Sequence, residues 1–169
     1  CRCIAYQPTP PNSDIDVHRV ACGFDSGCVR IFDVPTTTMP HEYQQHRGPV
    51  VEILFDPVNG ERLYSAGLDG HICVYDVTRG YQPVKMIASD YSSEHVSMCI
   101  SPDGGLLASV GPDPSCAIIF SAESLHPLRK LRRSKPDKDA GTNHTGKNSK
   151  PSSTFRTISF NGDGTELIA

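Results

Sequence analysis

Apolar and polar positions in this chain alternate in short runs, broken every few residues by Gly, Asp, Ser and Pro. Val51, Ile53 and Phe55 alternate ahead of Asp56-Pro57, and Val96, Met98 and Ile100 do so ahead of Ser101-Pro102. Val29 with Ile31, Ile72 with Val74, and Ala117 with Ile119 repeat the pattern further along. A period of two is the mark of a β-strand. Leu54, Cys73, Cys99 and Ile118 fall on the intervening positions and are apolar too, which predicts strands covered on both faces by neighbouring sheets. Helix signals are absent.

The runs recur. Segments 19–33, 62–76 and 106–121 each read as an apolar run, a Gly/Asp/Ser turn and a second apolar run ending in an aromatic. Those aromatics, Phe32, Tyr75 and Phe120, are spaced 43 and 45 residues apart. Asp56-Pro57 and Ser101-Pro102 keep the same 45-residue step, and Tyr6-Gln7-Pro8 and Phe160-Asn161-Gly162 supply matching landmarks at either end. Asp25-Ser26-Gly27 and Leu68-Asp69-Gly70 contain the residues that tolerate positive φ, so each unit holds a tight hairpin. A further strand is predicted at 40–45, 83–88 and 127–132, which brings each unit to about four strands, the content of one propeller blade. The expected division is a partial blade at 1–34, blades at 35–76 and 77–121, and the start of another at 122–169. Residues 9–17 and 133–154 break the period, and the second is rich in Pro, Ser, Lys, Gly and Asn, the composition of a flexible loop.

These residues resemble WD repeats, the units of the WD-repeat β-propeller. In that family a Gly-His pair precedes the first strand, an Asp occupies the hairpin turn and the third strand ends in Trp-Asp. Gln45-His46, Ser65, Asp69 and Tyr75-Asp76 stand at those positions in the second unit. The resemblance implies an all-β fold, a WD-repeat propeller fragment of about three to four four-stranded antiparallel blades. It also implies a buried structural network of His46, Ser65, Asp69 and Tyr75. Phe32, Tyr75 and Phe120 replace the family's Trp, Ser26 replaces the turn Asp in the first unit, and the third lacks both the His and the terminal Asp. Those two units are expected to rely on packing.

The run from Gly23 to Val34, with His46-Arg-Gly-Pro-Val50 and Glu61 to Gly67, is similar to the large WD-repeat family of centrioles and cilia. That family carries a microtubule-binding domain ahead of a long propeller array. The resemblance implies a role in centriole wall architecture and cilium assembly, with tubulin or centriolar and ciliary components as partners.

Charge alters this picture at one place. The formal charge of −3 is unevenly spread: residues 129–150 hold eight Lys and Arg against two Asp, a local charge of +6, and the remainder sums to −9. Arg129, Lys130, Arg132, Arg133, Lys135 and Lys138 are therefore candidate contacts for an anionic partner, whether tubulin, an anionic membrane or RNA. Nucleic-acid readers interleave aromatics for stacking, and none lies between Phe120 and Phe155.

The seven cysteines lack metal-ligand spacing, and Cys73, Cys99 and Cys116 sit in apolar runs, the usage of reduced thiols in a cytoplasmic core. No apolar stretch approaches the ~18 residues that span a bilayer. Neither Gly-rich phosphate motif occurs. Ser65, His46 and Asp69 have the composition of a catalytic triad, but a triad needs an exposed nucleophile and Ser65 lies mid-strand, so the residues are read as a fold network. The chain opens on Cys1 and stops within an apolar run, and its 169 residues divided by the 43–45 residue step give fewer than four blades, short of the four to eight of a closed ring, so an arc is expected. The functional expectation is a non-enzymatic protein–protein interaction scaffold, with no cofactor, metal or small-molecule substrate, in the cytoplasm and, by the second resemblance, at the centriole, basal body or cilium. The alternative is a propeller that binds anionic lipid or RNA through 129–150.

Overall fold

The computed structural model describes residues 1–9, 18–88, 97–111, 116–132 and 157–168. Every regular element among them is a strand. Sheet 1 comprises β1 (Cys3–Tyr6), β2 (Arg19–Gly23), β3 (Cys28–Asp33) and β4 (Thr38–Gln44), paired antiparallel in chain order. Sheet 2 comprises β5 (Val50–Phe55), β6 (Arg62–Gly67), β7 (His71–Asp76) and β8 (Gln82–Ala88). Sheet 3 comprises β9 (Ser97–Ile100), β10 (Leu106–Val110), β11 (Cys116–Ser121) and β12 (Pro127–Arg132). β13 (Ser159–Phe160) and β14 (Leu167–Ile168) pair as a fourth, two-stranded sheet.

The turns follow from local chemistry. Gly27 and Gly70 close the β2–β3 and β6–β7 hairpins at φ of 85° and 76°, a region that costs a side chain and not glycine. The turn into each fourth strand is built on the residue after the recurring aromatic. Asp33 Oδ1 accepts from the Thr36 amide and hydroxyl, Asp76 Oδ1 accepts from the Thr78 amide and hydroxyl, and Ser121 Oγ accepts from the Ser124 amide. Those bonds hold the Asp33 and Asp76 carboxyls below their ordinary range. Each of these turns ends on a residue with positive φ, Thr37, Tyr81 or Leu125.

Packing explains the nearly continuous apolar runs. Sheet 2 is sandwiched: Leu63, Cys73 and Tyr75 face Ala21, Val29 and Ile31 of sheet 1, whereas Tyr64, Ala66, Ile72 and Val74 face Met98, Leu107 and Phe120 of sheet 3. A third core joins Ala108, Val110 and Ala117 to Ile158, Phe160 and Leu167. β5 lies against β1 and β2, β9 against β5, and β13 against β9, so the first strands of successive sheets stand side by side. Burial peaks in the second and third strands of each four-stranded sheet, and the fourth strands are mostly exposed. Sheets stacked face to face with their first strands adjacent form an arc of a β-propeller. The repeat of the sequence and the sheet are offset by one strand, since β4, β8 and β12 follow the recurring aromatics.

The hairpin glycine next to the connection between sheets is the sharpest local constraint. A Cβ on Gly27 would stand 2.2 Å from the His46 carbonyl oxygen, on a backbone at positive φ. Gly27→Ala is expected to destabilise the chain by about 2–3 kcal/mol, measured as a lowered urea midpoint, whereas Gly162→Ala, with nothing within 4 Å of its Cβ, should leave it nearly unchanged.

Candidate functional site

His46 lies in the connection from β4 to β5, and its imidazole is folded into sheet 2. Its Nδ1 is 3.0 Å from Asp69 Oδ1 and its Nε2 is 2.7 Å from Ser65 Oγ. Ser65 Oγ is in turn 3.2 Å from the Tyr75 hydroxyl. His46, Ser65 and Tyr75 are buried, with relative exposures of 2%, 0% and 0%. β6 supplies Ser65, the β6–β7 hairpin supplies Asp69, and β7 supplies Tyr75, so the hairpin register aligns three of the four groups under the connection that delivers the fourth.

Proton directions follow from the partners. A carboxylate only accepts, so His46 Nδ1–H donates to Asp69; Nε2 then accepts from Ser65, and Ser65 accepts from Tyr75. Burial pushes the His46 imidazole below its ordinary value of 6.5, and the Asp69 carboxylate only partly opposes that, so the ring is neutral. Burial would by itself raise the Asp69 carboxyl. The Arg47 amide at 2.8 Å, the His46 ring and the His71 amide at 3.1 Å outweigh it and hold the group below the usual carboxylate range. Burial pushes the Tyr75 phenol up and the neighbouring Cys73 thiol up to about 12.

Every polar atom of this set that faces inward has a partner inside the fold. Ser65 is fully enclosed, so no carbonyl substrate reaches its hydroxyl, and the arrangement lacks the exposed nucleophile that acyl transfer requires. Its chemistry is mechanical: it fastens the β4–β5 connection. A Cβ on Gly67 would stand 2.5 Å from both Asp69 Oδ1 and His46 Nδ1, so the close approach also needs a glycine there.

Sheet 1 does not repeat the constellation. The register places Cys22, Ser26 and Phe32 of sheet 1 where Ser65, Asp69 and Tyr75 stand. A thiol and a phenyl ring cannot extend the chain of bonds. The corresponding gap is bridged differently, by Gln44, whose Nε2 donates to the Ser26 carbonyl at 2.6 Å and to the His46 carbonyl at 3.1 Å.

Of the basic candidates, Arg129, Lys130 and Arg132 lie on β12, the outermost strand of sheet 3, and Arg133, Lys135 and Lys138 lie outside the described residues, as do the expected loop at 133–154 and all but the first residue of the break at 9–17. Sequence reasoning missed the neighbour of Arg129. Lys85, on β8 of the preceding sheet, donates its Nζ hydrogen to the Ser124 carbonyl and lines a groove of about 430 Å³ together with Arg129 and Lys130. All seven cysteines are free thiols, and no metal-ligating group of three or more His, Cys, Asp or Glu occurs among the described residues.

Stacked four-stranded sheets with the His–Ser–Asp–aromatic constellation under an inter-sheet connection define a WD-repeat protein. The WD domain, G-beta repeat, matches residues 38–76, from the first residue of β4 to the last of β7. The chain belongs to the WD-repeat family. It is 36% identical over 131 residues to "Centriole proteome protein 16" of Chlamydomonas reinhardtii and 34% identical over 127 residues to "WD repeat-containing protein 90" of Xenopus tropicalis, with 75% and 72% of the chain covered. It is also 34% identical over 85 residues, half of the chain, to "Protein NEDD1" of Bos taurus. The chain spans 6% and 7% of the length of the first two relatives and 12% of the third.

Two measurements check the mechanical role. Asp69→Ala strands the buried His46 Nδ1–H and the Arg47 amide and should cost about 3 kcal/mol, whereas Tyr75→Phe removes one hydroxyl bond and should cost about 1 kcal/mol; urea denaturation should rank them in that order. Because the folded His46 has a lowered pKa, the unfolded chain binds the extra proton, so stability is whole above the ordinary value of 6.5 and falls as pH drops below it. His46→Gln should flatten that fall; an unchanged pH slope would assign it to other groups, among them His41, whose pKa burial also lowers.

Proposed function

We propose that this chain is a non-enzymatic protein–protein interaction scaffold, one section of a WD-repeat propeller within a larger protein of centriole or cilium assembly that associates with microtubules. The observation that carries the reading is the similarity over three quarters of the chain to a protein named for the centriole proteome. The chemistry agrees with it. The only triad-like set among the described residues is sealed and fully occupied in holding the fold. The fourth strands, by contrast, expose Met39, Val84, Met86, Leu128 and Leu131 at 39% to 54%, apolar side chains available to partners.

A second reading, binding of anionic lipid or RNA through 129–150, is supported by Arg129, Lys130 and Arg132 on one exposed strand. The two readings separate by salt-dependent co-sedimentation with microtubules, anionic vesicles and RNA, before and after all eight Lys and Arg of 129–150 become Gln. The scaffold reading expects protein partners to be retained by the neutralised variant, and the lipid or RNA reading expects binding to fall steeply with salt and to vanish in it. Tagged full-length protein is expected in centriolar foci, and a diffuse signal would remove the centriolar assignment.

A further inference from the structure

Two wedges open between the outer strands of neighbouring sheets, and they are not alike. In the first, between sheets 1 and 2, the chain fills the space itself. Tyr43 and His41 of β4 meet Tyr75 and Tyr81 at ring-centroid separations of 5.8 Å and 5.3 Å, and the Tyr43 hydroxyl donates to the Gly80 carbonyl at 2.7 Å. Tyr81 is fully buried and donates its hydroxyl to Gln7.

In the second wedge, between sheets 2 and 3, smaller or charged side chains stand at the same places. The strand registers put Ile87 where Tyr43 stands, since Tyr43 pairs with Val29 and Ile87 with Ile72; they put Lys85 where His41 stands, since these pair with Val74 and Ile31. Leu125, at the positive-φ position ending its turn, replaces Tyr81. The result is the open groove of about 430 Å³, a size that accommodates a ligand or peptide side chains. Its floor is Ile87, Ile118, Phe120 and Leu125, and its rim carries Lys85, His126, Arg129 and Lys130, with no Asp or Glu among the described lining residues. Glu123 sits in the adjoining depression on the far side of Lys85. Neither Lys85 nor Arg129 enters an ion pair among the described residues.

We propose that this groove docks an acidic peptide segment of a partner protein, whose aliphatic or aromatic anchor fills the space between Ile87, Ile118 and Phe120 while its carboxylates meet Lys85 and Arg129. The proposal rests on the scaffold reading and gives it a surface. Charge selects the occupant. The chain's own segment 133–150 holds five Lys and Arg against two Asp, the wrong sign to settle against a basic rim. A phosphate headgroup would leave the apolar floor uncovered, and RNA would find a single exposed ring to stack upon among the described lining residues, His126, because Phe120 is 3% exposed. A peptide that alternates apolar anchors with carboxylates satisfies both floor and rim.

The test is selection of a random dodecapeptide library on the 169-residue chain, followed by fluorescence anisotropy of the enriched peptides. Enriched peptides should combine a Phe, Leu, Ile or Met with neighbouring Asp or Glu. Ile87→Tyr with Leu125→Tyr refills the wedge as the first one is filled, and Lys85→Glu with Arg129→Glu reverses two rim charges at exposed positions. Each pair should weaken binding by at least about tenfold. Enrichment of basic or uncharged peptides, no enrichment, or binding within about twofold in the charge-reversed pair would overturn the proposal. The same chain is offered poly(U) RNA and vesicles of about one-fifth phosphatidylserine; Arg129-dependent binding to either, without acidic peptides, overturns it in their favour. Centriolar foci lost from the full-length protein while peptide binding persists would instead count against the centriolar reading alone.

Discussion

A neutral imidazole buried between a carboxylate and a hydroxyl positions much of the rest. His46 belongs to the short connection between two sheets, and a connection has backbone groups that neither sheet satisfies by ladder bonds. Asp69 supplies the answer by accepting from the His46 ring and from the Arg47 amide together, while the His46 amide donates to the Gly27 carbonyl of the preceding sheet at 3.3 Å. The connection is thereby tied to a hairpin on each side. Val50, the first residue of β5, then reaches back to the Phe24 carbonyl at 3.0 Å, which sets β5 beside β1 and β2. Glycine at 27 and at 67 is the steric condition for both approaches.

Once the first strands stand side by side, the faces of the sheets must meet, and burial of both faces of sheet 2 follows. The space between flat elements that fan from a common axis widens outward. Over the inner three strands the faces meet and bury their side chains; at the fourth strands a side chain must reach across the gap or the gap stays open. Three aromatics close one wedge, and the absence of their counterparts opens the next. The filled wedge and the open one thus arise from one geometry and differ in the size and charge of the side chains that line them.

Much of this was legible in the chain. The 43- and 45-residue spacing of Phe32, Tyr75 and Phe120 marks the ends of β3, β7 and β11, because a strand of fixed length in a fixed stack recurs at a fixed step. The expected strands at 40–45, 83–88 and 127–132 appear as β4, β8 and β12, starting up to two residues earlier. His46, Ser65, Asp69 and Tyr75 were picked out by family pattern, and the structure brings their polar atoms within 2.7 to 3.2 Å. The groove was not legible. The strands predicted at 40–45 and 83–88 hold Tyr43 and Ile87, and the prediction says nothing of whether the facing sheet meets them. Lys85 and Arg129 lie far apart along the chain, and only the stacking of β8 near β12 makes them one rim. The reason for an Asp after each of the first two aromatics was also hidden until Asp33 and Asp76 were seen capping turns.

The pin itself is open to direct measurement through a double-mutant cycle on His46→Ala and Asp69→Ala, read by urea denaturation of both single variants and the double. If the His46–Asp69 contact holds the connection in place, the double variant loses less stability than the singles sum to, by about 1–3 kcal/mol. Losses that add within about 0.3 kcal/mol would contradict it and leave His46 as a packed ring with no structural bond to Asp69.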